Sequence, residues 1–172
     1  AVDLHNNSDE YRERFKESVD FAYIPVPWRL IEPRQQTRDW QLIDSWIEWL
    51  AKSRIPVRMG PLVNLTSDHI PDWLSQYEGD YESVRSALVE HVRRTVERYG
   101  NYVFCWDVVS GIHAANAFNF TFEQIMDLTR VTVSLVKQLA AKSSQVAIDL
   151  VAPWGEYYAR NQRTIPPMFY AD

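Results

Sequence analysis

Four groups of side chains that could bind a ligand or take part in a reaction follow four strongly apolar stretches of the sequence. They combine indole and phenol rings with amides, carboxylates and imidazoles. Aromatic rings stack on the apolar faces of sugar rings, and amides and carboxylates pair with hydroxyl groups. The mixture therefore favours an uncharged, polyhydroxylated ligand. The groups are Trp28, Arg29 and Glu32; Asn64, Thr66, Asp68 and His69; Ser110, Gly111, His113 and Asn116; and Trp154, Glu156, Tyr157, Tyr158, Arg160 and Asn161.

For some of these side chains, and for Asp107 and His91, a structural role is the alternative to a role in ligand binding or catalysis. Trp28 is either part of the core or a ligand platform, and the sequence leaves both open. Asp107 stands just before an apolar pair, so we expect it to face inward and orient a neighbour. His69 is interpreted as a surface residue of a loop and His91 as a solvated helix residue. His113 is the histidine closest to a predicted strand end, where an imidazole could act on a ligand.

The sequence lacks the motifs that are typical of several classes of enzyme and metal site. There is no metal-ligand spacing such as HExxH and no GxSxG elbow of a serine hydrolase. Cys105 is the single cysteine, which excludes a disulfide within the chain and a cysteine-based zinc site. We therefore expect neither a metal nor a cofactor.

Composition limits the partners. The formal net charge of the 172 residues is -5, and the basic residues are scattered, with Arg93 and Arg94 interpreted as part of a solvated helix face. Phosphate binding needs a basic face, so a nucleic acid is not expected as partner. No apolar run is long enough to cross a bilayer, so a membrane is not expected either. Seven tryptophans suit either a large core or sugar stacking.

Helical and strand patterns alternate along the chain. Apolar residues recur at helical spacing over residues 9–19, 37–52, 81–99 and 122–141, with Thr37 as a predicted N-cap. Short apolar runs at residues 21–26, 55–63, 102–109 and 145–151 predict strands. These strands are apolar on both faces, which is typical of parallel strands covered by helices.

This alternation predicts an α/β fold, a partial (β/α)8 TIM barrel with parallel strands alternating with helices. A complete barrel needs ~250 residues. We therefore expect residues 1–172 to form a single partial domain, with the remaining barrel beyond residue 172. A small open doubly wound sheet is the alternative, but no Gly-rich phosphate loop follows any predicted strand.

Four motifs in order resemble glycoside hydrolase family 10, the endo-β-1,4-xylanases. They are WRLIEP (residues 28–33), VRMGPLV (57–63), PDWL (71–74) and WDVVSG (106–111). Order and spacing agree over roughly residues 20–152. The resemblance implies about strands two to five of a (β/α)8 barrel that acts on a β-linked polysaccharide or oligosaccharide. It also suggests an extracellular or periplasmic location.

The sequence departs from this family at the positions where the family has its catalytic acid and the neighbouring motif residues. The family's acid/base glutamate falls on Gly111 and the preceding asparagine on Ser110. The histidine of the family's VRGHT motif falls on Gly60, and the tryptophan that follows in that strand falls on Asn64. Glycoside hydrolysis normally needs two carboxyl groups, and removing a positioned acid costs about 10²–10⁴-fold in rate. The nucleophile would come from a later strand.

Glu156 is the candidate replacement for the missing acid, because aromatic neighbours raise the pKa of a carboxyl group. Its alternative is an ion pair with Arg160, four residues further on. Two functions stay open: a family-10-like hydrolase and a non-catalytic carbohydrate-binding barrel. The residues expected to contact substrate are Trp28, Asn64, Ser110, His113, Trp154 and Tyr157.

Overall fold

The computed structural model describes residues 1–151 and 165–172. Helices and strands alternate along these residues, and a short 3₁₀ helix (Asp72–Tyr77) follows the second strand. The other elements are α1 (Asp9–Ser18), β1 (Ala22–Pro25), α2 (Trp28–Ile31), α3 (Gln41–Ser53), β2 (Val57–Gly60), α4 (Tyr81–Tyr99), β3 (Val103–Ser110), α5 (Phe122–Leu139), β4 (Gln145–Asp149) and α6 (Pro167–Ala171).

The four strands form one parallel sheet in the order β1-β2-β3-β4. A doubly wound sheet reverses its strand order at a switch point, whereas these strands follow one another in chain order, as in a barrel. The predicted partial (β/α)8 architecture is confirmed. All four carboxyl ends meet at one edge of the sheet, and the loops that carry the predicted site residues start there.

The predicted apolar faces of the helices are confirmed. Helix α4 buries Val84, Leu88, Val92, Val96 and Tyr99, and α3 does the same with its residues Ile43, Ile47 and Leu50. Apolar residues at helical spacing form one stripe that packs against the core. Within the described residues, no helix is long and apolar enough to cross a membrane.

The predicted start of the second long helix was wrong. Helix α3 begins at Gln41, and Thr37 instead forms an isolated bridge with Arg34, to whose carbonyl oxygen its backbone N–H donates at 2.9 Å. The Asp39 carboxylate accepts from the Gln41 N–H at 2.9 Å. Asp39 therefore provides the first-turn acceptor that was assigned to Thr37.

His91 was predicted to be solvated, and this was also wrong. Its side chain has no exposed surface and its ring stacks on Trp28, with centroids 4.5 Å apart. Neither ring nitrogen has a hydrogen-bond partner within the described residues. Burial therefore lowers the pKa of His91 to about 3, since the charged imidazolium is disfavoured in the interior.

Candidate functional site

A small polar cluster joins the carboxyl ends of β3 and β4. The Ser110 hydroxyl donates to the Asp149 carboxylate, Oγ to Oδ2, at 2.8 Å. The Gly111 N–H donates to the Asp149 carbonyl oxygen at 3.2 Å. Ser110 pairs with Asp149 in the sheet register, so both residues lie at the same level of the sheet. Position 111, where the resemblance places an acid, thus carries no side chain, but a carboxylate stands beside it.

The backbone at Gly111 is left-handed, with φ of +67°. A Cβ atom built there would lie 3.2 Å from Cγ1 of Val151, a tight contact. Residues with a side chain disfavour this region because Cβ approaches the following carbonyl oxygen. The loop after β3 therefore has a conformation suited to glycine.

Replacing Gly111 with glutamate is expected to lower the free energy of unfolding by about 1–2 kcal/mol, the cost of forcing a side chain into left-handed backbone. Gly111→Asn is the matched control, because asparagine tolerates this conformation better and should cost less. Urea unfolding of both variants measures the difference. A glutamate variant as stable as the wild type would contradict the strained geometry.

Gly60 is the last residue of β2, and its backbone lies very close to Asp107 of β3. A Cβ built on Gly60 would lie 2.3 Å from the carbonyl oxygen of Asp107 and 2.7 Å from its Cβ. The φ of Gly60 is also positive, at +150°. This backbone has no space for the histidine that the resemblance places at this position.

Asp107 forms the main ion pair inside the sheet. Arg58 donates three hydrogen bonds to its carboxylate, Nε to Oδ2 and Oδ1 at 3.0 and 3.1 Å and Nη2 to Oδ1 at 2.6 Å. Asp107 is 5% exposed, which confirms the predicted inward orientation. Burial and the charge of Asp107 also raise the pKa of the nearby Tyr23 hydroxyl. Asp107 therefore couples β2 to β3 beneath the strand ends.

Two of the predicted substrate contacts are buried. Trp28 is 4% exposed and its indole N–H donates to Oε2 of Glu32 at 3.0 Å, so the core-packing alternative describes its position. His113 has no exposed surface, because Tyr170 of α6 stacks on its ring with centroids 5.2 Å apart. Burial also lowers the pKa of His113. Both rings are thus enclosed in this structure, and the substrate contacts predicted for them stay predictions.

Asn64 is partly accessible and organises the loop after β2. Its Oδ1 accepts hydrogen bonds from the backbone N–H of Thr66 at 3.0 Å and from the Thr66 hydroxyl at 2.8 Å. Its amide nitrogen has no hydrogen-bond partner within the described residues. Asn64 thus retains a donor for a ligand hydroxyl. His69 is exposed, as predicted.

The other predicted residues of this site, Trp154, Glu156 and Tyr157, lie outside the described residues, so their roles stay predictions. Sequence reasoning missed Asp149, because the predicted strand 145–151 placed it in the strand interior. The available signal was the position of a carboxylate near the end of a parallel strand, where barrel proteins gather their reactive groups. The structure ends β4 at Asp149, and its side chain is exposed.

The parallel sheet in chain order, with polar side chains at its carboxyl edge, defines a partial (β/α)8-barrel protein. The sequence pattern of "Glycosyl hydrolase family 10" matches residues 22–148, which is most of the chain. The chain belongs to this family.

Several known proteins with similar sequence or structure are xylanases. A beta-1,4-xylanase of Dictyoglomus thermophilum is 28% identical over 95 residues, which is 55% of this chain and 26% of that protein. Xylanase B from Clostridium stercorarium F9 superposes with a TM-score of 0.67 at 15% identity, covering 86% of this chain and 50% of that one. Xylanase 10B from Thermotoga petrophila RKU-1, solved with xylobiose, superposes with a TM-score of 0.64 at 17% identity, covering 84% of this chain and 46% of that one. The chain thus spans half or less of these relatives.

Proposed function

We propose that this chain is part of a glycoside hydrolase that cleaves a β-linked, xylan-type polysaccharide. Membership of glycosyl hydrolase family 10 over residues 22–148 carries the proposal. Asn64 and Ser110 at the carboxyl edge of the sheet can pair with sugar hydroxyls. The bound xylobiose in a structurally similar xylanase supports a β-linked xylose polymer as substrate.

The chemistry requires one carboxyl group that protonates the leaving oxygen and a second that attacks the sugar or activates water. We expect the second to come from barrel strands beyond residue 172. Gly111 supplies neither, so another residue must act as the acid. Glu156 is our first candidate: Trp154, Tyr157 and Tyr158 flank it in the sequence, and an aromatic surrounding favours the protonated carboxyl at neutral pH.

Asp149 is a second candidate acid on structural grounds. It accepts a hydrogen bond from Ser110 through its side chain and from Gly111 through its backbone. A carboxylate at this place could reach a substrate held over the end of β3. The Asp149 side chain is exposed, whereas aromatic residues flank Glu156 in the sequence. We therefore rank Glu156 ahead of Asp149.

Glu156→Gln should lower hydrolysis by the full-length protein about 10²–10⁴-fold, the contribution of a positioned acid. The amide keeps the size of the side chain but cannot donate a proton from a carboxyl group. The assay is release of reducing ends from xylan, with Asp149→Asn measured in parallel. Full activity in Glu156→Gln together with a loss in Asp149→Asn would transfer the acid role to Asp149. Full activity in both variants would remove both residues from the mechanism.

A non-catalytic carbohydrate-binding barrel is the second candidate function, and the side-chain-free, left-handed Gly111 favours it. Such a protein would bind xylo-oligosaccharides and release no product. Quenching of tryptophan fluorescence by xylo-oligosaccharides measures the binding, since the chain carries seven tryptophans. Absence of quenching across oligosaccharides from several polysaccharides would contradict this alternative.

A further inference from the structure

A cavity of about 240 Å³ opens between the loop after β2 and the loop after β3. Both loops leave the carboxyl ends of their strands, so the cavity lies at the same edge of the sheet as Ser110 and Gly111. Pockets for drug-sized ligands measure roughly 300–1,000 Å³. The smaller volume suits a single sugar ring.

The apolar part of this cavity contains a fixed aromatic ring. Phe118 stacks on Phe120, with ring centroids 5.3 Å apart and an interplanar angle of 16°. Phe120 is itself 5% exposed and anchors the pair in the core. Ile70 and Pro71 add buried apolar surface to the lining. A half-buried ring held in one orientation loses little side-chain freedom when a sugar face stacks on it.

The polar part of the cavity contains two carboxylates. Asp72 is held by Arg29, whose Nη2 lies 2.8 Å from Oδ1 and 2.9 Å from Oδ2. Glu78 is exposed, and its carboxylate makes no hydrogen bond or ion pair within the described residues. Carboxylate oxygens accept hydrogen bonds from hydroxyl groups. Because Arg29 neutralises only one of the two charges, an anionic ligand is disfavoured and a neutral hydroxylated one fits.

We propose that this cavity is an additional sugar-binding subsite, which takes one uncharged pyranose unit of the polysaccharide chain. Phe118 stacks on the sugar ring, and Glu78 accepts its hydroxyl hydrogen bonds. The inference rests on the proposed function, since it takes the ligand to be a polysaccharide. The subsite would favour longer oligosaccharides, which can occupy it and the strand-end site together.

The test is calorimetric titration of the full-length protein with xylobiose and xylohexaose. In the wild type, xylohexaose should bind more tightly than xylobiose. Phe118→Ala should weaken xylohexaose binding about five- to tenfold, the effect of losing one stacking contact, with little change for xylobiose. Glu78→Gln is the second variant, because it leaves the aromatic pair intact, and it should weaken the same ligand. Tyr102→Ala removes a ring that is 53% exposed at the other end of β3 and serves as the control.

Xylohexaose affinity equal to the wild type in both Phe118→Ala and Glu78→Gln would overturn the subsite while leaving the proposed function in place. Equal wild-type affinities for xylobiose and xylohexaose would overturn it as well. No binding of either oligosaccharide to folded wild-type protein would instead contradict the proposed function. Near-ultraviolet circular dichroism establishes that each variant is folded before its titration is interpreted.

Discussion

Replacing Asp107 with alanine is expected to lower the free energy of unfolding by about 3 kcal/mol. The substitution removes the acceptor of three hydrogen bonds from Arg58 and leaves that guanidinium without its partner inside the sheet. Breaking a buried ion pair from one side costs about 3–5 kcal/mol. The lower end applies here because the Arg58 side chain is 38% exposed.

Urea unfolding of Asp107→Ala measures this loss, with Glu90→Ala as the matched control. Glu90 forms an ion pair with Arg94 on the surface of α4, and both side chains are about half exposed, at 42% and 56%. Exposed pairs contribute about 0–1 kcal/mol. Equal losses in the two variants would show that Asp107 does not anchor β2 to β3.

Acid is expected to destabilise the fold through His91. The pKa of His91 is about 3 in the folded chain and ~6.5 in the unfolded chain. Because the folded pKa is the lower one, the unfolded chain binds a proton first as the pH falls. The stability that neutral His91 supports is complete above pH ~6.5 and is lost progressively toward pH ~3. Between pH 7 and pH 4 the loss is about 3 kcal/mol, since each pKa unit corresponds to about 1.4 kcal/mol.

Unfolding free energies of the wild type and His91→Phe at pH 7, 5 and 4 test this pH dependence. Phenylalanine keeps a ring against Trp28 and removes the titrating group, so the variant should lose about 3 kcal/mol less than the wild type over this range. His69→Phe, at an exposed loop position, should follow the wild type. Parallel curves for the wild type and His91→Phe would contradict the assignment. His113, whose pKa is lowered too, adds acid sensitivity to every protein in the series.

The order of strands and helices could be predicted because both rest on local periodicity. The inward stripe of α4 was predicted from its apolar residues alone, and this is why His91 was misplaced. His91 follows Leu88 by three residues and precedes Thr95 by four, so it lies on the same buried stripe. Spacing was therefore a better guide to its burial than residue type.

The details of the candidate site depend on contacts that no local pattern encodes. The space above Gly60 is closed by Asp107, 47 residues later in the sequence, and His113 is covered by Tyr170 from the end of the chain. Likewise, Asp149 joins the site through its register with Ser110 on the neighbouring strand. Motif resemblance aligned the family's acid with residue 111 but could not place the carboxylate of Asp149 beside this position.

The most direct test of the proposed function is release of reducing ends from xylan by the full-length protein, together with calorimetric titration of xylohexaose. We predict release of reducing ends at a rate that falls in Glu156→Gln. A folded protein that binds xylohexaose and releases no reducing ends from xylan or related β-linked polysaccharides would contradict hydrolysis. In that case Gly111 would mark a barrel that binds sugars without cleaving them.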